Sequence, residues 1–267
     1  MDREIFIRQR VKEHYDEACS LGHEVVAIFL QGSQNYNCDE YSDEYQSDID
    51  TKCIILPSAE DVILNKQAVS KTLILEDNSH IDLKDIRLMW NCFKKQNINY
   101  LEILFTDFAY VPYEYYHFWL DMIRLNEDIA HIDNYSAVNC IVGMILEKNA
   151  ARCHPYPSLK DKIEKHGYDN KQLHHIIRCR EFLDRYIDGE PYEDCLIPTD
   201  RESLINIKAD YIYNLEQAKE LAKEAVDYAK AKKQAYLNSH KQTIDVDTQD
   251  KMNKIMVDIL TKAWTGD

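Results

Sequence analysis

Short apolar runs separated by polar breaks fill the first 110 residues, a pattern typical of a domain that contains a sheet. After a charged amphipathic helix that ends at Gly22, residues 24–31 (EVVAIFLQ) are aliphatic, β-branched and too few for a helix. They predict a strand buried on both faces. Residues 49–56 (IDTKCIIL) predict a second strand, and a serine followed by acids after Pro57 predicts a helix start.

The pattern changes from strands to helices along the chain. Two short strands, in TLILED and SHIDL, are predicted around an Asp77-Asn78 turn. From Lys84 to Phe105 the apolar spacing is helical, with a break near Asn97, and beyond about residue 110 strand signals nearly vanish. These observations predict an α+β protein, with a small mixed-sheet head in residues 1–110 and a helical domain in residues 111–267.

The last helical segment, residues 248–264 (TQDKMNKIMVDILTKAW), is amphipathic and follows a polar stretch. Thr248 is the predicted helix cap. An amphipathic helix at this place is expected to dock either on the body of the protein or on a partner chain.

Charge and composition narrow the classes of partner. The chain of 267 residues carries 47 acids and 32 bases, a formal net charge of −15. This charge opposes non-specific attraction to nucleic acid or to an anionic membrane. The charged N-terminal helix is unlike a secretory signal, no stretch approaches the ~20 apolar residues of a membrane span, and the eight cysteines fall at irregular spacings. We therefore expect a cytoplasmic protein without a membrane span.

Two acids, Asp48 and Asp50, stand one residue apart where the second predicted strand begins. Residues i and i+2 of a strand project to the same face, and two carboxylates held in this way repel each other unless a cation lies between them. Their hard oxygens suit Mg²⁺, with Mn²⁺ as the alternative. A third acid on a neighbouring strand would complete a two-metal site for phosphoryl transfer. Asp82 is the preferred third acid, and Asp85 is the alternative, although Asp85 also fits a helix cap.

Gly32-Ser33 follows the first predicted strand directly. A glycine at a strand end lets backbone amides approach an anion, and the adjacent hydroxyl can donate to a phosphate. Either motif by itself is more often structural. Their order along the chain, which is strand, Gly-Ser, loop, Asp-x-Asp and a later strand acid, favours a nucleotide site.

This order resembles that of the DNA polymerase β-like nucleotidyltransferases at GS…SDID. The segment HIDLKDIRLMWNCFKKQNINYLEILF is similar to one in an uncharacterised family of predicted nucleotidyltransferases, where an acid-bearing strand leads into a D-[LI]-R helix and an N-P-x-x-L-E-x-L-F stretch. Residues 167–190 resemble the same family's G-Y-D-x-K-x-x-x-H-x-x-R helix. The chain departs from the family at Asn37, which replaces a glycine, at Ile98, which replaces a proline, and in a longer, more acidic loop before Asp48.

The resemblance implies transfer of a nucleoside monophosphate from a nucleoside triphosphate to a hydroxyl acceptor, with release of pyrophosphate. It assigns catalysis and metal binding to three acids, Asp48, Asp50 and Asp82. It assigns nucleotide binding to Gly32, Ser33, Lys171, His175 and Arg178. The last three share one helix face at i, i+4 and i+7, which is also the pattern of an ordinary solvated stripe. Glu102 matches the family as well, but it is ordinary by itself.

A second class of function stays open at this stage. A protein that keeps this fold but does not catalyse the reaction would be a nucleotide-binding regulator or an antitoxin-like protein. The sequence also leaves open which nucleoside triphosphate is used, whether the acceptor is a small molecule, a protein or RNA, and whether the chain forms oligomers.

Overall fold

The computed structural model describes residues 2–40 and 47–266, and the chain divides into two compact units. The first unit consists of Met1–Asn35, Glu40–Asp133 and Ile244–Asp267, and the second of Tyr36–Asp39 and Asn134–Thr243. The predicted boundary after residue 110 falls inside the first unit. The C-terminal helix also belongs to the first unit.

A mixed sheet of five strands forms the centre of the first unit within the described residues. The strands are β1 (Val25–Gln31), β2 (Asp50–Ile55), β3 (Ser70–Ile74), β4 (His80–Asp85) and β5 (Ala109–Tyr110). Their order is β3-β4-β2-β1-β5, and β2 and β4 are parallel whereas the other neighbours are antiparallel. The predicted α+β class with a mixed sheet is confirmed, and β1 is buried on both faces as expected. The two-residue β5 was not predicted, because a strand so short leaves no periodic pattern.

Helices make up most of the remaining described chain. They are α1 (Arg3–Ser20), α2 (Ala59–Ile63), α3 (Ile86–Lys94), α4 (Ile98–Leu101), α5 (Tyr116–Arg124), α6 (Asn126–Ala130), α7 (Asn134–Ala151), α8 (Lys160–His166), α9 (Asn170–Ile187), α10 (Tyr192–Leu196), α11 (Arg201–Ala209), α12 (Leu215–Ser239) and α13 (Val246–Thr265). Among the described residues, none of these helices combines the length and the apolar character that crossing a bilayer requires.

Helix α1 covers one face of the sheet. The carboxylate of Asp2 caps it by accepting from the N–H groups of the first turn. Ile7 and Val11 of α1 are buried in one cluster with Leu30 of β1 and Cys53 of β2. Because side chains alternate along a strand, the residues between these positions point to the opposite face of the sheet.

The segment after β4 is helical with a break, as predicted. Asp85 caps α3 by accepting from the N–H of Arg87, and its carboxylate is also paired with the Arg87 guanidinium. The helix-cap interpretation of Asp85 is therefore confirmed. The break occurs because Gln96 has a positive φ of 54° and Asn97 caps the next helix, α4.

The C-terminal helix α13 packs on its own unit, against α3, α5 and α6. The indole N–H of the buried Trp90 donates to the carbonyl of Met252 at 2.9 Å. The helix begins earlier than predicted, because the carboxylate of Asp245 accepts from both the N–H and the hydroxyl of Thr248. The prediction of Thr248 as the cap is therefore wrong, and Asp245 is the cap.

Helix α9 is the centre of the second unit and contacts α7, α10, α11 and α12. Its buried residues recur every three or four positions, as the sequence pattern predicts. The short segment Tyr36–Asp39 belongs to this unit, in which Tyr36 and Cys38 pack with Leu204 of α11.

Candidate active site

The turn at Gly32-Ser33 directly follows β1. Gly32 has a φ of 94°, a backbone conformation that residues other than glycine rarely adopt. Its N–H donates to Oε1 of Glu102 at 3.2 Å. This amide, which the sequence suggested for a phosphate, is therefore already bound to a carboxylate in the structure.

Side-chain amides fix this turn beside the start of β2. Nε2 of the buried Gln34 donates to the carbonyl of Asp48 at 2.8 Å. Nδ2 of Asn35 donates to the carbonyl of Leu30 at 2.9 Å, and the hydroxyl of Thr106 donates to Oδ1 of Asn35 at 2.7 Å. The Gly-Ser turn and the Asp-x-Asp motif are thus neighbours, although the chain between them is long.

Asp48 and Asp50 differ in their exposure. Asp48 lies just before β2 and is exposed, whereas Asp50 is the first residue of β2, pairs with Gln31 of β1 and is half-buried. Most of the longer acidic loop that precedes Asp48, residues 41–46, lies outside the described residues. The two residues that flank residues 41–46 are bound to each other: the N–H of Glu40 donates to the hydroxyl of Ser47 at 2.9 Å.

His80, not Asp82, is the β4 residue next to Asp50. The parallel register sets Lys52 opposite Asp82, so the same register continued by two residues brings His80 towards Asp50. Both the N–H and Nδ1 of His80 lie 2.9 Å from Oδ1 of Asp50. The imidazole and the carboxylate are each partly exposed, and the pair lies where the neighbouring strands β2 and β4 begin.

Asp82 has other partners. Oδ2 of its carboxylate accepts from the hydroxyl of Tyr100 at 3.0 Å, and Oδ1 lies 4.0 Å from Nζ of Lys84. Burial and the carboxylate of Asp82 raise the pKa of Tyr100, so the phenol stays protonated as the donor. Nζ of Lys84 also donates to the hydroxyl of Ser70 at 2.8 Å.

Lys52 lies on the same face of β2 as Asp50 and is only 4% exposed. Its ammonium donates to the side-chain carbonyl of Gln31, lies 3.9 Å from Oε1 of Glu102 and lies 4.8 Å from the centre of the Tyr100 ring. Burial lowers the pKa of Lys52, while the carboxylates of Glu102, Asp82 and Asp50 oppose this shift. A buried lysine thus lies on the face of the predicted site, with the carboxylate of Glu102 at 3.9 Å.

These contacts test whether the predicted two-metal site fits the residues. Among residues 2–40 and 47–266, no group of three His, Cys, Asp or Glu side chains is arranged to hold a metal ion. Asp82 is paired in the register with Lys52 and not with Asp50, which is paired with His80. The three acids therefore do not suit two ions. Binding of one Mg²⁺ by Asp48 and Asp50 stays a prediction, for a kind of site in which one or two carboxylates act together with phosphate oxygens and water.

The three α9 residues suggested for nucleotide binding belong to the second unit. Lys171 is exposed, and the guanidinium of the buried Arg178 lies 4.0 Å from the centre of the Tyr36 ring. Burial, with the adjacent His174 and Arg178, holds the pKa of His175 well below its usual value, so this imidazole is neutral at pH 7. The role of Lys171, His175 and Arg178 towards a triphosphate stays a prediction.

Sequence reasoning missed Lys52, Lys84, His80 and Tyr100 as parts of this arrangement. One signal for Lys52 was available, because a lysine inside a strand buried on both faces requires a partner of opposite charge. The partner itself could not be identified, since Glu102 lies 50 residues further along the chain.

Comparisons with known proteins found no related sequence and a distantly similar solved structure. A scan against protein-family models matched no family, and a search of curated proteins found no match. A search of solved structures found the crystal structure of a nucleotidyltransferase-like protein from Exiguobacterium sibiricum, which aligns over 96% of this chain and 80% of that chain. The sequence identity is 10% and the TM-score is 0.33, values too low to assign a family or an activity.

Proposed function

We propose that this protein is a nucleotidyltransferase that moves a nucleoside monophosphate from a nucleoside triphosphate to a hydroxyl acceptor. One observation carries the proposal: the Gly32-Ser33 turn lies beside Asp48 and Asp50, held there by the bond from Gln34 to the Asp48 carbonyl. A turn for a polyphosphate next to paired carboxylates is the arrangement that such a reaction needs.

In the proposed reaction, the acceptor oxygen forms a bond to the α-phosphorus, and the bond from that phosphorus to the bridging oxygen of pyrophosphate breaks. The acceptor's proton passes to water, and pyrophosphate leaves. Asp48 and Asp50 would hold one Mg²⁺, or Mn²⁺, which supplies positive charge to the phosphate oxygens when bound. The hydroxyl of Ser33 would contact the polyphosphate, and the Gly32 turn would orient it.

Asp82 takes a different place in this proposal from the one the sequence suggested. Its carboxylate is bound to Tyr100 and lies near Lys84, so it belongs to the ion-paired face of the sheet. There it contributes negative charge that stabilises the buried lysines.

The decisive experiment follows label from α-labelled ATP, GTP, CTP and UTP in a cell lysate. We expect wild-type protein to label one acceptor and the double variant Asp48→Asn/Asp50→Asn to lose at least 100-fold in rate, as expected when the ligands of a catalytic metal are removed. Asp121→Asn, an exposed acid paired with Arg124, is the matched control and should transfer label normally. Undiminished transfer by the double variant, with its fold intact by circular dichroism, would rule out the proposal.

A non-catalytic nucleotide-binding protein is the second candidate, and one observation favours it. The position next to Asp50 on β4 holds His80 where a catalytic third acid would be expected. Calorimetry with each nucleoside triphosphate and Mg²⁺, beside an assay for pyrophosphate, separates the two candidates. Binding without pyrophosphate release in the presence of lysate would favour the regulator, whereas binding with release supports the enzyme.

A further inference from the structure

Lys52 lies on the face of the sheet that carries Asp50 and Asp82, the acids between which the predicted site would place a second metal ion. We propose that its ammonium replaces the second divalent cation, so that this site takes one metal ion, at Asp48 and Asp50, with a fixed lysine charge behind it. This inference rests on the proposed nucleotidyl transfer.

The position of the ammonium comes from the sheet itself. Lys52 follows Asp50 by two residues on β2, so the two side chains share a face about 7 Å apart along the strand. Asp82 pairs with Lys52 in the register of the parallel strands β2 and β4. The distance from Nζ of Lys52 to Oε1 of Glu102 is 3.9 Å. Lys52 therefore lies on one face with Asp50 and Asp82, while the ammonium of Lys84 lies 4.0 Å from Oδ1 of Asp82.

Packing keeps the ammonium in this position. The side chain is 4% exposed, donates to Gln31 and lies over the ring of Tyr100. Lys84 lies 4.9 Å from the centre of the same ring. A divalent ion bound by Asp82 and Glu102 would have to displace this buried, hydrogen-bonded lysine, and leaving it unpaired in the interior is strongly unfavourable.

The charges on this face agree with a single metal ion. Of the four carboxylates Asp48, Asp50, Asp82 and Glu102, that of Glu102 lies 3.9 Å from the ammonium of Lys52 and that of Asp82 lies 4.0 Å from the ammonium of Lys84. Two negative charges remain, which one divalent cation neutralises. In a low-dielectric site a fixed cation stabilises the negative charge of a phosphoryl transition state without any reorganisation, which is the second metal's role in two-metal enzymes.

The count of bound ions tests the inference without measuring activity. Mn²⁺ is titrated into the protein with the α,β-methylene analogues of the four nucleoside triphosphates, and free Mn²⁺ is measured by electron paramagnetic resonance. We expect one ion per ternary complex for the wild type. Lys52→Glu replaces the ammonium by a carboxylate beside Asp50 and Asp82, and we expect it to bind two ions.

Two further variants keep the test decisive if Lys52→Glu does not fold. Lys52→Met removes the charge but keeps the length of the side chain, and it should bind the single Mn²⁺ about tenfold more tightly, because a repelling charge has been removed. Lys71→Met alters an exposed lysine on the opposite face of the same sheet and should leave both the affinity and the count unchanged.

The outcomes separate this inference from the proposed function. Two ions bound by the wild type would overturn the inference, as would an unchanged Mn²⁺ affinity in folded Lys52→Met, and either result leaves nucleotidyl transfer standing. No Mn²⁺ bound in the presence of any nucleotide, together with no transfer of label, would instead overturn the proposed function.

Discussion

His14 illustrates how a single residue on α1 is tied to the sheet. Its ring is fully buried, Nδ1 lies 3.0 Å from the hydroxyl of Thr51 and Nε2 lies 3.2 Å from the hydroxyl of Ser79. Burial, with the nearby Arg10, lowers the pKa of His14 to about 4, although Asp77 opposes the shift. The imidazole is therefore neutral at pH 7 and exchanges hydrogen bonds with both hydroxyls.

This shift predicts a loss of stability in mild acid. Between the unfolded pKa of about 6.5 and the folded pKa of about 4, the unfolded chain binds a proton that the folded protein does not. Lowering the pH from 7 to 4.5 should therefore reduce the free energy of unfolding by about 2 kcal/mol through His14 alone. Urea unfolding at both pH values should show a smaller loss for His14→Gln, which keeps an amide in contact with the hydroxyls.

His240→Gln is the matched control for this prediction, because it makes the same substitution at an exposed histidine at the end of α12. An equal loss of stability in acid for wild type and His14→Gln would show that another group dominates.

At the scale of elements, α13 depends on the rest of the first unit. The helix buries Met252 and Ile259 against α3, α5 and α6, whereas Val257 is 55% exposed. Trp264 at its end donates from its indole N–H to the carbonyl of Pro57 at 3.1 Å. Most helix stability in proteins comes from such packing and not from intrinsic propensity.

Two alanine substitutions in α13 distinguish packing from propensity. Met252→Ala should lower the free energy of unfolding by about 2–5 kcal/mol, because the side chain of Met252 is fully buried and its truncation leaves a cavity. Val257→Ala should change it by about 0.5 kcal/mol or less, since the site is exposed and alanine favours the helix. Both values are measured by urea unfolding. Similar effects of the two substitutions would contradict the docked position of α13.

At the scale of the whole molecule, charge constrains the acceptor. The net charge of −15 repels the phosphate backbone of a nucleic acid, and counterion release can assist binding only where a protein presents a cluster of bases. Small molecules and proteins are therefore favoured as acceptors for the proposed transfer.

A division of the labelled lysate tests this expectation. After transfer from α-labelled nucleotide, one part is treated with ribonuclease and another with proteinase, and the size of the labelled product is measured. We expect the label to survive ribonuclease, because the acidic protein attracts RNA poorly. Loss of the label with ribonuclease alone would identify RNA as the acceptor and contradict the argument from charge.

Much of the fold could be predicted because it depends on residues that are close in sequence. The apolar residues of α9 recur at helical spacing along the chain, and the break near Asn97 follows from local capping and a residue with positive φ. The prediction of Thr248 as the cap was wrong because two nearby residues could both act as caps. Asp245 was a competing cap three residues earlier, and only the folded helix shows which side chain accepts the bonds.

The sequence alone determined where four of the five described strands lie, where the Gly-Ser turn and the paired acids lie and how acidic the protein is. The tertiary structure decided which acids are neighbours. Strand register places His80 beside Asp50 and Lys52 beside Asp82, and a bond from Gln34 places the turn beside Asp48. The physical reason is that periodicity and caps are local properties, whereas strand register and buried ion pairs depend on the packing of segments far apart in the chain.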